Sequence, residues 1–170
     1  VDAALMLGPD AVTVLVLVGG IFLLALVASF VPLISIELAL IVSAAAGTSI
    51  GLLLAMIAVA AAGQMIGKSC YFLGGRTAFQ LCECREHPGS RGIGARLLSF
   101  VTRKARKPRV AAATVFFSAS TGLPPFALVS ALAGGWRIRL SSFFVVGFAG
   151  KSARFAGVLL VPGALALVHA

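Results

Sequence analysis

Three charged side chains lie inside otherwise apolar stretches of this sequence, where they could bind or transfer charge. Glu37 is the only charged residue in the stretch 11–67, and Lys151 and Arg154 lie within the apolar stretch 140–161. An ionisable group inside a membrane segment costs at least about 2.5 kcal/mol by insertion scales, so it normally faces a cavity or a partner. We therefore expect Glu37 to titrate a proton or coordinate a cation, and the two bases to bind a phosphate or pair with Glu37.

Each of these residues also has a structural explanation, which the sequence leaves open. Glu37 can lie at the membrane interface and cap the helix that begins after Pro32. Lys151 and Arg154 can extend their aliphatic stems toward an interface. That explanation is weaker for Lys151, because it lies about ten residues from either end of its span.

Two further cations, Lys68 and Arg76, belong to the same candidate substrate or ion pathway. Both lie close in sequence to a basic loop, so their aliphatic side chains could extend to the membrane interface, and this would explain their positions well. Lys68 nevertheless occupies the position of Lys151 in an internal repeat: Gly67-Lys-Ser-Cys-Tyr-Phe-Leu-Gly74 recurs as Gly150-Lys-Ser-Ala-Arg-Phe-Ala-Gly157. A second pair, Val42-Ser-Ala-Ala-Ala-Gly47 and Val129-Ser-Ala-Leu-Ala-Gly134, supports the duplication. A duplicated apolar unit indicates a membrane transporter.

Other motifs do not predict a metal, a cofactor or an enzyme. Cys82, Cys84 and His87 lack the paired spacing of a structural zinc site. The Gly-Lys-Ser triplets lack the preceding glycine of a phosphate-binding P-loop. No nucleophile and base stand in a recognisable arrangement, so we expect no catalytic residues.

The composition places the chain in the membrane class. Hydrophobic residues make up 60% of the 170 residues, above the roughly half that is typical of soluble domains. A spanning helix needs about 20 mainly apolar residues, and a chain of this length has too little polar surface to enclose so much apolar sequence. We therefore expect an all-α, multipass integral membrane protein.

Positive charge is concentrated in one polar stretch, residues 76–109. Nine of the fourteen Lys and Arg residues lie there, and basic loops between spans normally stay on the cytoplasmic side. We expect this basic loop to be cytoplasmic and to contact anionic lipid headgroups. Its part between Ile93 and Lys104 is either a helix on the membrane surface or a solvated loop. No nucleic-acid partner is expected, because no soluble domain presents the charge.

The second half of the chain predicts a hairpin followed by a crossing helix. Apolar arms at 110–121 and 126–136 are each too short to span, and Gly122-Leu-Pro-Pro125 breaks the chain between them. Such a pair indicates a re-entrant hairpin, with Gly122, Pro124 and Pro125 at its break. Residues 140–161 then cross the membrane, with Pro162 near the far end.

The first half is predicted to repeat this arrangement. Apolar blocks at 11–31 and 35–47 are separated near Pro32, which falls at the turn of an equivalent hairpin, and a crossing segment runs from about 50 to 74. Whether residues before Phe22 add a further crossing stays open.

One crossing per unit makes the repeat inverted in topology, with two broken hairpins meeting near the membrane midplane. The predicted fold is an inverted repeat of a re-entrant helical hairpin plus a transmembrane helix, within one membrane domain, 1–170. Repeat unit one covers about 22–76, the basic loop 76–109, and repeat unit two about 110–161. Small residues allow close helix packing, and the glycines assigned to that role are Gly47, Gly63, Gly67, Gly134, Gly147 and Gly150.

Several of these motifs resemble the DedA superfamily and its VTT-domain branch (SNARE-associated Golgi proteins). They are Phe30-Val-Pro-Leu-Ile-Ser-Ile-Glu37, the glycines, Tyr71 and Arg76 of 63–76, and Gly122-Leu-Pro-Pro-Phe126 with Ala133-Gly134. The resemblance covers about 30–157 and implies two opposed re-entrant hairpins and a lipid-moving activity. It implies flipping of polyprenyl-phosphate or phospholipid carriers under the proton-motive force, or phospholipid scrambling in the VTT branch.

The chain departs from the family pattern in two places. Glu37 matches the acid that follows the first hairpin proline, whereas the second acid of many members has no counterpart near Ala25. The arginine pair around the second hairpin proline falls at Ser120 and Phe126. These departures favour the VTT-like branch and leave Lys151 and Arg154 as the remaining cations.

The favoured function is an integral membrane lipid transporter, a flippase or scramblase, whose partners are membrane lipids with anionic headgroups. A proton-coupled ion or small-solute transporter using the same cavity is the alternative, and a scaffold acting through the basic loop is a third. The Ala- and Arg-rich composition favours a bacterial plasma membrane. Homo-oligomerisation stays open.

Overall fold

A computed structural model describes residues 9–31, 35–83, 108–136 and 138–168, and in these ranges every regular element is a helix. Pro32 and most of the basic loop, including the segment 93–104, Cys84 and His87, lie outside the described residues. The helices are α1 (Pro9–Ala28), α2 (Ile36–Ala45), α3 (Ile50–Glu83), α4 (Pro108–Thr121), α5 (Phe126–Gly135) and α6 (Leu140–Val168).

Three of these helices are long and apolar enough to cross a membrane. The candidate spans are Ala11–Ala28, Ile50–Leu81 and Leu140–Leu160. Large apolar side chains such as Leu15, Leu54 and Val145 are more than half exposed, which a helix surrounded by lipid tolerates and a helix in water does not. The predicted all-α membrane class is therefore confirmed.

The helix boundaries settle one open point and extend two of the predicted segments. α1 runs through Phe22 without a break, so the first 20-residue helix is a candidate span by itself. α3 continues past Gly74 to Glu83, which places Arg76 inside a helix and not at the start of a loop. α6 continues past Pro162 to Val168; proline removes one helical hydrogen bond, a loss that membrane helices tolerate.

The helices form two compact units. The first unit contains α1, α2, α3 up to Gly67, and α6 from Phe155 onward. The second unit runs from Lys68 to Arg154 and contains the rest of α3, then α4, α5 and the first half of α6.

In the first unit, α1 packs on α2 and on α3. A Cβ added at Gly63 would lie 2.8 Å from the Phe22 carbonyl oxygen and 3.2 Å from the Ala25 Cβ. One turn further along α3, Gly67 faces Ser29, whose single hydroxyl proton is shared between the backbone carbonyl oxygens of Ala25 and Gln64, both at 3.1 Å. Glycine is required here because a side chain would separate the two helices.

In the second unit, α5 lies against both α4 and α3. α3 and α5 cross at Gly75 and Gly134, where any added Cβ would overlap backbone atoms of the opposite helix. Beside this crossing, Phe143 of α6 stacks on Phe72 of α3 at 4.8 Å and on Phe126 of α5 at 6.1 Å between ring centroids. These buried rings join three helices, since aromatic pairs add about 0.5–1.5 kcal/mol beyond their buried area.

Candidate functional site

The break between α4 and α5 is built from short-range hydrogen bonds. Gly122 has φ of 80°, a left-handed conformation that favours glycine, and the Leu123–Pro124 bond is cis. The Thr121 hydroxyl accepts from the Leu123 amide at 3.2 Å, and Ser118 donates its hydroxyl proton to the Pro124 carbonyl at 2.6 Å. The irregular backbone therefore finds partners within its own hairpin, as membrane burial requires.

The N-terminus of α5 opens directly out of this break. Pro125 occupies the N-cap position, where it has no side-chain acceptor for the helix amides, and the amides of Leu128 and Val129 donate to its carbonyl. The first turn of a helix carries partial positive charge. The α5 side of the break therefore carries partial positive charge, whereas the last turn of α4 on the other side carries partial negative charge.

Lys151 and Arg154 of α6 lie against the two sides of the break. Lys151 is buried, at 8% exposure, and its Nζ lies 5.4 Å from the centroid of the Phe126 ring. Arg154 places a guanidinium nitrogen against Gly122, where a Cβ would overlap it. The two cations are three residues apart and therefore share one helix face.

This arrangement suits recognition of an anion. An arginine and a lysine beside a helix N-terminus can donate hydrogen bonds to phosphate oxygens. The Phe126 ring offers Lys151 a cation–π contact of about 0.5–2 kcal/mol, which offsets part of its desolvation. The nearby hydroxyls of Ser118 and Ser130 are already used for carbonyls of Pro124 and Phe126.

The other predicted cations have different surroundings. Lys68 is partly exposed, and its Nζ lies 4.6 Å from the centroid of the Tyr71 ring on the same helix. Arg76 is exposed on α3, although its backbone amide lies at the Gly134 crossing. Within the second unit, the structure therefore brings Lys151 and Arg154 to the break and leaves Lys68 and Arg76 on other parts of the helix surface.

Glu37 lies in the first turn of α2 and is partly exposed. Ser35 is the N-cap: its hydroxyl accepts from the Leu38 amide at 3.4 Å and donates to Glu37 Oε2 at 3.3 Å. A carboxylate there is stabilised by the helix dipole. The capping explanation of Glu37 consequently has a geometric basis, while a role in transport stays a prediction.

Two residues of interest were not singled out from the sequence. Gln64 is buried in α3, at 8% exposure, and its Oε1 has no hydrogen-bond partner among the described residues. Gly75 is as tightly enclosed as Gly134. The sequence does carry a signal for each: Gln64 is a glutamine inside an apolar span, and the glycine pair 74–75 has a counterpart in the glycine pair 134–135.

The glycines assigned to packing fall into two groups. Gly63, Gly67, Gly134 and Gly150 each have a neighbouring helix where a Cβ would stand, and Gly147 is buried. Gly47 serves a different purpose: it has φ of 78° after the end of α2, and no atom of the described residues lies within 4 Å of its missing Cβ. It ends a helix, as glycine commonly does.

Among the described residues, no group of three or more His, Cys, Asp or Glu side chains could hold a metal ion. None of the protein-family models, curated proteins or solved structures compared with this chain matches it.

Proposed function

We propose that this protein is an integral membrane lipid transporter, a flippase or scramblase that moves phospholipid or polyprenyl-phosphate headgroups along a polar path between two opposed re-entrant hairpins. The observation that carries the proposal is the placement of Lys151 and Arg154 against the α4–α5 break. The DedA and VTT resemblance of the sequence motifs agrees with it. In this proposal the protein lies in a bacterial plasma membrane with its basic loop in the cytoplasm.

Helix lengths support a re-entrant α4–α5 hairpin. α4 has 14 residues and α5 has 10, so they rise about 21 Å and about 15 Å, less than the roughly 30 Å of the hydrocarbon core. The first residues of α4 and of α6 line one common groove. A hairpin that enters and returns to the same end explains why these two helix starts are neighbours.

The contacts within each unit support a duplicated architecture. Gly67 packs on the C-terminal end of α1, at Leu26 and Ser29, and Gly150 packs on the C-terminal end of α4, at Phe116 and Ala119. The same glycine of each Gly-Lys-Ser motif therefore contacts the first helix of a helix pair. In both units, the second helix of that pair is 10 residues long.

In the proposed mechanism, the phosphate of a lipid exchanges its hydration for the Lys151 and Arg154 donors and the α5 N-terminus while its acyl chains stay in the bilayer. Because phosphate binding is strongest where charge is desolvated, burial of Lys151 favours an anionic headgroup over a neutral one. Glu37 would gate the movement or carry a proton.

The test is a lipid-flip assay in proteoliposomes with a panel of phospholipids and polyprenyl phosphates, with and without a pH gradient. Lys151→Met keeps the apolar stem and removes the charge. Loss of one charged hydrogen bond, about 1.5–3 kcal/mol, predicts a flip rate at least about tenfold lower. Lys68→Met is the matched variant at the repeat-related position, and its loss should be clearly smaller.

The unfolding midpoint of both variants in detergent shows whether either protein has lost its fold. Equal flip rates for Lys151→Met and the wild type, in folded protein, would remove Lys151 from the site. Ion flux that needs no lipid headgroup and disappears in Glu37→Gln would instead support the proton-coupled ion or solute transporter. The feature that favours this second function is Gln64, whose buried Oε1 has no hydrogen-bond partner in the part of the chain that the structure describes.

A further inference from the structure

A groove of about 510 Å³ lies between the first turns of α4 and α6. Its mouth carries Arg109 and Arg139, and its inner part is lined by apolar side chains that include Val115, Phe143 and Val146. We call it the Arg109–Arg139 groove. It is distinct from the α4–α5 break, where Lys151 and Arg154 lie.

The depth of the groove in the membrane follows from the helix limits. The candidate span of α6 begins at Leu140, so Arg139 lies at the boundary where lipid phosphates are found. α4 and α6 both run inward from their arginines. Val146 is seven residues beyond Arg139, which corresponds to about 10 Å of helix rise. With α6 placed across a membrane by this span, the groove would run from the interface into the hydrocarbon layer.

We infer that the Arg109–Arg139 groove binds an anionic phospholipid, with its phosphate between the two arginines and the start of an acyl chain along Val115 and Phe143. Guanidinium groups match phosphate oxygens in geometry and charge. An acidic peptide or a free phosphate would leave the apolar inner wall uncovered. The volume is within the range of small-ligand sites, large enough for a headgroup and the first part of one chain.

The site connects to the hairpin through aromatic rings. Phe143 lines the groove and stacks on Phe126 at 6.1 Å, and Phe126 is the ring beneath Lys151. A lipid held in the groove would therefore lie two rings from the break. The inference does not depend on transport, since a bound lipid could equally be structural.

The experiment is native mass spectrometry of the full chain in detergent, titrated with phosphatidylglycerol, phosphatidylcholine and inorganic phosphate in separate arms. Arg109→Gln with Arg139→Gln should weaken phosphatidylglycerol binding at least about tenfold, because two charge-assisted contacts are lost. Arg109→Lys with Arg139→Lys preserves charge and should stay within about threefold of the wild type. Ala112→Phe, which fills the groove and leaves both arginines in place, should also weaken binding.

Several outcomes overturn the inference. Unchanged phosphatidylglycerol binding in the Gln pair and in Ala112→Phe removes the site. Binding of inorganic phosphate as tight as that of phosphatidylglycerol reduces it to a phosphate site without a lipid. A wild-type dimer that the Gln pair abolishes, with lipid binding intact, assigns the groove to a second copy of the chain. Unchanged phosphatidylglycerol binding in the Gln pair together with slower flipping in Lys151→Met would overturn this inference and keep the transport proposal. Weaker binding in the Gln pair together with a wild-type flip rate in Lys151→Met would do the reverse, so the two failures are distinguishable.

Discussion

The crossing of α3 and α5 offers a sharp test, because two adjacent glycines of α3 have opposite surroundings. A Cβ at Gly75 would lie 2.7 Å from the Ala131 carbonyl carbon and 2.9 Å from its Cα, and would overlap the Ala131 carbonyl oxygen. At Gly74 no atom of the described residues lies within 4 Å of that position. Gly75→Ala and Gly74→Ala therefore form a matched pair in one helix.

The expected difference follows from two terms. Replacing glycine by alanine inside a helix gains about 0.5–1 kcal/mol of helix propensity at either position. At Gly75, contact carbons prefer about 3.5–4.0 Å, so α5 must move by about 1 Å. Such overpacking costs about 1–3 kcal/mol. Since the helix term is common to both variants, the difference between their unfolding free energies measures the cost of the crossing.

The assay is unfolding by SDS titration in mixed micelles, followed by fluorescence of Trp136. This residue is the only tryptophan in the chain and lies buried at the C-cap of α5. Gly74→Ala should unfold at or above the wild-type midpoint, and Gly75→Ala clearly below it, by about 1–3 kcal/mol relative to Gly74→Ala. Coincident transitions for the two variants would refute a direct crossing of α3 on α5 at this point.

Two further substitutions address the candidate pathway. Gly122→Ala should lower the unfolding free energy by about 1–2 kcal/mol, because Gly122 has a positive φ, and it should slow lipid flipping because the new Cβ displaces Arg154. Gly47→Ala is the control: Gly47 has nearly the same φ but open space around its missing Cβ among the described residues. This control should lose stability without losing the flip rate. Glu37→Gln should slow flipping while lowering the unfolding free energy by less than about 1 kcal/mol, the usual range for a carboxylate at a helix N-terminus. A wild-type flip rate in folded Glu37→Gln would leave that residue with a capping role alone.

The elements that could be predicted from the sequence are those with local signals. The α4–α5 pair was predicted with its break at 122–125, because glycine and prolines restrict their own backbone and that of the residue before them. The crossing predicted at 140–161 agrees with the candidate span Leu140–Leu160, although α6 itself continues past Pro162 to Val168. α1 continues through Phe22 although the pair Gly19-Gly20 lies shortly before it, because backbone hydrogen bonds within an apolar span have no competing partner in a membrane.

Contacts between distant segments could not be predicted, because the type of a residue does not indicate which distant residue it contacts. Two glycine pairs, at 74–75 and 134–135, indicate close packing somewhere, but the sequence cannot say that Gly75 meets Ala131. The contacts of Lys151 could not be predicted for the same reason. Its mid-span position indicated function, whereas its place over Phe126 depends on how α6 rotates against α5.

The two Gly-Lys-Ser motifs show how a duplicated element can keep its packing and differ in its chemistry. Gly67 and Gly150 both contact the first helix of a helix pair, so the backbone around each motif is held by the same kind of interaction. The lysines differ: Lys68 is partly exposed over a tyrosine one turn away on its own helix, whereas Lys151 is buried over the first residue of α5. A partly exposed cation retains part of its hydration and interacts more weakly with an anion than a buried cation does. If the hairpin breaks form the lipid path, phosphate binding is therefore concentrated at the Gly-Lys-Ser motif of 150–152, and the two motifs are alike in packing but differ in the burial of their charge.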